Sequence, residues 1–147
     1  MDFIRLNENT LQFSGKYFLY SKKIKDLLIK TAKDSHKKTS RICLHSSTSE
    51  NTQNMIICLL ANQNFKAHKH PEGKSESYTI IEGCLYVDQY NSSKELLRSL
   101  KLQPKDGPYM HIGNTFHKPY TKNKICIYQE IYHGNFNKDF DVKYIDA

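Results

Sequence analysis

The sequence contains no Trp, no CxxC pair and no apolar run near the roughly 20 residues that a membrane-spanning helix needs. We therefore expect no membrane association. Without a CxxC pair, neither a zinc ribbon nor a thioredoxin-like motif is available. Cys43, Cys58, Cys84 and Cys126 are far apart and keep apolar company (RICL, IICLL, GCLYV, KICIY). They read as reduced thiols behaving as small hydrophobes. The N-terminus, MDFIRLNENT, lacks an apolar core followed by a small-residue cleavage site, so we expect no secretory signal and a cytoplasmic location. Repeats, low-complexity segments and recognisable nucleic-acid motifs are also missing.

What remains is a chain of 147 residues, the size of one domain and long enough to bury a core without staples. Its formal charge of +7 is unevenly distributed. Residues 1–41 carry ten Lys/Arg against four Asp/Glu, whereas residues 42–147 carry twelve against eleven. The basic excess thus belongs to the N-terminal segment, which holds Lys22, Lys23, Lys25, Lys30, Lys33, Lys37 and Lys38 and whose basic helix face reads as solvated. Anion or polyanion binding there is the competing reading, and the near-neutral remainder argues against nucleic acid as a partner.

Ser21 is placed to cap a helix running through KKIKDLLIKTAKDS, with Ile24, Leu27, Leu28, Thr31 and Ala32 at helical spacing. From about residue 41 the pattern changes to short runs rich in Ile, Tyr, Val and Leu: RICLH, MIICLLA, SYTIIEG, CLYVDQY, LLRSLKL, YMHI and KICIYQEIYH. Polar breaks separate them, which reads as a β-sandwich or barrel. The expected organisation is an N-terminal segment, 1–40, carrying a basic amphipathic helix packed on an all-β body, 41–147.

Chemistry concentrates in HKHPEGKSESYTIIEG, residues 68–83. His68 and His70 alternate along a strand and so share a face. A Pro-Glu-Gly turn follows, and Glu76 opens the next apolar run. Two imidazoles and a carboxylate across a turn make a ligand face for one divalent transition metal such as Fe, Zn, Mn or Ni, among which these ligand types do not discriminate. His117 in NTFHKPY supplies a natural fourth ligand. Against this, an HxH pair also occurs by chance on surface strands, Glu76 alone reads as an ordinary carboxylate, and Glu72 is a rival ligand in the turn. Tyr78, Tyr109, Tyr120 and Tyr128 read either as core or as pocket-lining rings.

The segment His68–Gly83 resembles the first motif of the cupin superfamily: HxH, a gap, Glu, six residues, Gly. More narrowly, RICLH, NMIICLL, HKHPEGKSESYTIIEG, the His117 region and YQEIYHGNF resemble the WbuC-type cupin-fold metalloproteins of bacterial surface-polysaccharide (O-antigen) genes. The likeness spans roughly residues 21–136. It implies a small β-barrel or jelly roll preceded by an α-helix, with a metal on His68, His70, Glu76 and His117. It further implies a small-molecule substrate, of saccharide type, and sheet-to-sheet pairing into a homodimer. Either a metal-dependent isomerase, epimerase or oxygenase, or a non-catalytic metal-dependent binding module, is compatible with it. Glu130 matches a glutamate of the family's tail and, with Tyr78, is a candidate catalytic residue. There are departures. Five residues separate His70 from Glu76, Asn62 stands at the glycine position before the first histidine, and Ile112 and Asn114 replace the proline and glycine of the second motif.

Overall fold

The computed structural model describes residues 2–146. In chain order the strands are β1 (Phe3–Asn7), β2 (Thr10–Phe13), β3 (Thr39–Cys43), β4 (Thr52–Leu59), β5 (His68–Lys69), β6 (Glu76–Glu82), β7 (Leu85–Tyr90), β8 (Leu96–Leu102), β9 (Tyr109–His111), β10 (His117–Tyr120), β11 (Cys126–His133) and β12 (Lys143–Tyr144). Helix α1 (Lys22–Asp34) separates β2 from β3, and a one-turn helix α2 (Lys138–Asp141) precedes β12. A seven-stranded sheet in the order β1-β2-β3-β4-β11-β6-β9 faces a five-stranded sheet in the order β12-β5-β10-β7-β8. All pairings are antiparallel except β2 with β3.

Helix α1 forms where its apolar spacing and cap place it. The Ser21 side chain accepts the Ile24 backbone N–H, and Leu28, Thr31 and Ala32 form the buried stripe. That stripe covers the outer face of the large sheet, packing with Leu11, Ile42, Ile56, Cys58 and Ile127. Its lysines point outward, where Lys22 pairs with Asp26, Lys30 with Asp34, and Lys25 with Glu82. The first elements are a finding beyond the expected helix-then-barrel order: β1 and β2 form a hairpin that extends the large sheet, so the helix is not the first element of the chain.

The inner face carries the main core. Met55, Ile57 and Leu59 of β4 point between the sheets beside Tyr78, Ile80, Leu85, Val87, Cys126 and Tyr128, while Ile56 and Cys58 point to the helix. This is why MIICLL is a continuous apolar run: β4 is covered on both faces. Truncating a fully buried residue here such as Leu59 to Ala costs about 2–5 kcal/mol. Gly83, at φ +82°, turns β6 into β7, and a Cβ there would lie 2.1 Å from the Ile125 carbonyl oxygen. Only glycine fits that approach.

Candidate metal centre

Strand alternation sends Glu76 and Tyr78 of β6, His111 and Tyr109 of β9, and Tyr132 and Glu130 of β11 to the inner face of the large sheet. Register brings Glu76 opposite His111 on one side and Tyr132 on the other. In the smaller sheet, His117 of β10 stands opposite His68 of β5. His70 follows β5 at the start of the turn and reaches the same point.

The four residues expected from the sequence therefore converge. His70 Nε2 lies 3.3 Å from Glu76 Oε2, and His117 Nε2 lies 3.3 Å from Glu76 Oε1. The His68 ring centroid is 4.4 Å from that of His117 and 5.1 Å from that of His70. His111, which the sequence reading did not single out, joins them with its Nε2 3.5 Å from Glu76 Oε1. The donor atoms of His68, His70 and His117 lie within 4.8 Å of one another, as do those of Glu76, His111 and His117. Glu76, His70, His111 and His117 are buried, His117 completely, and only His68 is half-exposed. Glu72, the rival carboxylate, is exposed in the turn and outside the cluster.

The second nitrogen of each ring decides the chemistry. Nδ1 of His68 meets the Lys66 carbonyl at 2.7 Å, Nδ1 of His70 the Asp141 carbonyl at 2.6 Å, and Nδ1 of His117 the Thr115 carbonyl at 2.9 Å. A carbonyl only accepts, so these nitrogens carry the protons and Nε2 presents a lone pair. In His70 and His117 that lone pair faces a carboxylate oxygen, acceptor against acceptor, with no hydrogen-bond partner for the buried Nε2. Only a proton or a cation between them removes the repulsion. Neutral imidazoles oriented through Nδ1 around an anionic carboxylate form a donor set suited to a divalent transition metal. His111 differs, since its Nδ1 lies 3.3 Å from the Tyr109 hydroxyl, which can donate or accept.

Titration follows the same geometry. Burial, with the nearby His117, depresses His68 to about 4 and His111 to about 3, so both are neutral at pH 7. Burial alone would depress His70 too, but the Glu76 contact outweighs it and raises the ring above its ordinary value. Burial opposes the charge on Glu76, yet His117 and His70 hold its carboxyl well below the usual carboxylate range. The Tyr78 hydroxyl donates to Glu76 Oε1. On β11, Glu130 stands beside Tyr78 and Met55, and burial followed by the Glu76 charge pushes its carboxyl up. Tyr128 is core, and Tyr109 stacks on Tyr78. Tyr120 lies an odd number of residues from His117, on the other face of β10, where it stacks on Tyr86 and bonds Asp88.

Two departures from the sequence motif are resolved by the backbone. Asn62 and Asn114, at the two glycine positions, have φ of +64° and +62°. Asparagine is the side chain that best tolerates this left-handed region, so the glycine-like turns survive. Asn114 also ties its loop to the histidine strand, its N–H donating to the His70 carbonyl at 2.7 Å.

Two sheets closing around an inward-facing His/Glu cluster make up the cupin, or double-stranded β-helix, fold, and solved structures share it. An oxalate oxidase in complex with the substrate analogue glycolate aligns with a TM-score of 0.58 at 11% identity, over 76% of this chain and 57% of that one. A Klebsiella pneumoniae protein described as an uncharacterized conserved protein with a double-stranded beta-helix domain gives 0.58 at 13%, over 77% and 84%. The DMSP lyase DddQ of Ruegeria pomeroyi gives 0.55 at 17%, over 68% and 49%. This chain thus spans little more than half of the oxidase chain, and such identities establish the fold alone. Within that class, residues 20–102 match the family described as a domain of unknown function, DUF6016, and the chain belongs to it. No curated protein matches the sequence. Among the described residues no helix is long and apolar enough to cross a membrane.

Proposed function

We propose that the protein is a metal-dependent enzyme acting on a small polar substrate. Its ion would be held by His68, His70, Glu76 and His117, with His111 as an additional donor. The observation that carries this reading is the set of buried Nε2 lone pairs aimed at one carboxylate, their Nδ1 protons already committed to backbone carbonyls. When bound, a divalent ion supplies Lewis-acid polarisation and activates water at neutral pH. The chain's own residues do the rest. Tyr78 steadies the Glu76 carboxylate. Glu130, its protonated form favoured by burial and by Glu76, is suited to give a proton rather than take one.

The resemblance to WbuC-type cupins makes a sugar or nucleotide-sugar derivative of surface-polysaccharide (O-antigen) synthesis the first substrate class to test. It also suggests a cytoplasmic homodimer. The likeness to an oxalate oxidase solved with glycolate and to a DMSP lyase supports a small-molecule ligand. A second reading, a non-catalytic metal-dependent binding module, draws on the enclosure of the donors. Two surface cavities, of about 420 and 270 Å³, are lined by none of them. The test is incubation of metal-loaded protein with a panel of sugar phosphates and nucleotide sugars, read by product formation and by binding. Conversion supports the enzyme. Tight, metal-dependent binding without conversion supports the module, and neither conversion nor binding removes the saccharide assignment.

A further inference from the structure

The five residues between His70 and Glu76 form a turn in which Lys74 points toward the C-terminal segment, and the contact it makes there is specific. Lys74 Nζ lies 2.9 Å from both carboxylate oxygens of Asp141 and donates to the Asn135 carbonyl at 2.8 Å. The Lys74 stem lies along Gly134, where a Cβ would stand 3.2 Å from Lys74 Cγ. Asp141 is 2% exposed. Its carboxylate also accepts the Asn137 N–H at 2.9 Å, so the charge is enclosed and fully engaged. The backbone carbonyl of this same residue accepts the Nδ1 proton of His70 at 2.6 Å. Asp141 therefore faces two ways, its side chain to the turn and its carbonyl to a candidate metal ligand.

The rest of the segment is laid across the histidine strand. Lys143 and Tyr144 of β12 pair with Lys69 and His68, and the Ile145 N–H donates to the Ala67 carbonyl at 3.0 Å. Upstream, the Phe136 N–H donates to the Thr48 carbonyl at 2.8 Å, and Tyr132 packs its ring edge-on to His70 at 5.0 Å.

We infer that residues 134–146 form a strap whose docking and metal occupancy reinforce each other, with Asp141, latched by Lys74, as the positioning residue that orients His70. This rests on the metal reading above. The physical reason is that the Asp141 carbonyl fixes the tautomer and ring angle of His70. An undocked strap leaves that nitrogen to water and the ring free to turn away. Binding linkage is reciprocal, so the factor by which the docked strap strengthens metal binding is the factor by which metal strengthens docking.

The test uses the full chain, Zn²⁺ as the probe, and two readouts: affinity by competition with a chelating dye, and hydrogen exchange of residues 134–146 with chelator or with Zn²⁺. In the wild type, Zn²⁺ should slow exchange across the strap. Lys74→Met should weaken Zn²⁺ binding about 10-fold or more, the range for losing an outer-shell partner of a metal-bound histidine. It should also shrink the protection that Zn²⁺ gives the strap. Lys74→Arg, which keeps a donor for both carboxylate oxygens, should restore both. Asp141→Asn, of the same shape, serves if Lys74→Met does not fold. Wild-type protein that binds Zn²⁺ with no change in strap exchange, and variants that bind equally tightly, would overturn the strap while leaving the metal site intact. Wild-type protein that binds no Zn²⁺ would overturn both.

Discussion

Glu76 and His117 belong to different sheets, yet Glu76 Oε1 and His117 Nε2 stand 3.3 Å apart, with the His117 proton committed on the far side of the ring to the Thr115 carbonyl. The relationship binds the two layers at one buried point. It is unfavourable as acceptor against acceptor and becomes favourable once a cation or a proton sits between them. The measurable consequences of the site follow from that contact and from the shell around it.

Metal binding should release protons. Contact with Glu76 outweighs the effect of burial and raises His70, so near pH 6 the empty site holds a proton that a bound metal displaces. Titration calorimetry with Zn²⁺ in buffers of different ionisation enthalpy measures the number released. Release should be positive near pH 6 and decline as pH rises above the His70 value. No buffer dependence near pH 6 would contradict it.

Metal-free protein should lose stability in mild acid. His68 and His111 are held to about 4 and about 3, against an ordinary value near 6.5. Between these limits the unfolded chain takes up protons that the folded chain refuses, so stability rises with pH there and falls as pH drops below about 6.5. Melting temperatures with chelator from pH 4 to 8 should show this fall, and His111→Gln should flatten it. An unchanged slope in the variant would mean that His111 is not held neutral.

Tyr78→Phe should act on both stability and metal. It removes a buried hydrogen bond to a charged group, a loss of about 1.5–3 kcal/mol, and leaves Glu76 less firmly oriented. Metal affinity should fall about 10–100-fold, and denaturant unfolding together with dye competition would read the two effects separately. A variant of wild-type affinity would show that Tyr78 only fills the core.

Asn62 and Asn114 should tolerate glycine and resist alanine. Both sit in the left-handed region, where a residue with Cβ and no local hydrogen bonding pays roughly 1–2 kcal/mol. Each Asn→Ala variant should melt lower than the matching Asn→Gly variant. Equal melting points would mean that backbone conformation is not what asparagine preserves there.

The sequence made the barrel legible where burial is one-sided or complete. The MIICLL, SYTIIEG and KICIYQEIYH runs became β4, β6 and β11, and the Ser21-capped stripe became α1. The β1–β2 hairpin escaped because β1 leaves Ile4 and Leu6 more than half exposed, so no buried period marks it as a strand. In the site, HxH alternation and the Glu76 phase were readable because both depend on local geometry. His111 was not, because it lies in a three-residue strand with no second ligand at a telling distance, and only register across β6 brings it to Glu76. Its one local signal was Tyr109 two residues before it, sharing the inward face. The strap was invisible for a related reason: in residues 134–146 charged and amide residues break up the few apolar ones, and the segment's role arises from Lys74 some 60–70 positions away.

The most direct measurement is elemental analysis of the protein purified without a nickel column, beside His70→Ala and Glu76→Gln. The expected result is near-stoichiometric divalent transition metal in the wild type and its loss in both variants, with all three folded by circular dichroism. Wild-type protein that carries no metal and takes up none when offered Fe²⁺, Mn²⁺, Zn²⁺ or Ni²⁺ would contradict the metal centre. The convergence of His70, His111 and His117 on Glu76 would then be a buried proton-sharing cluster.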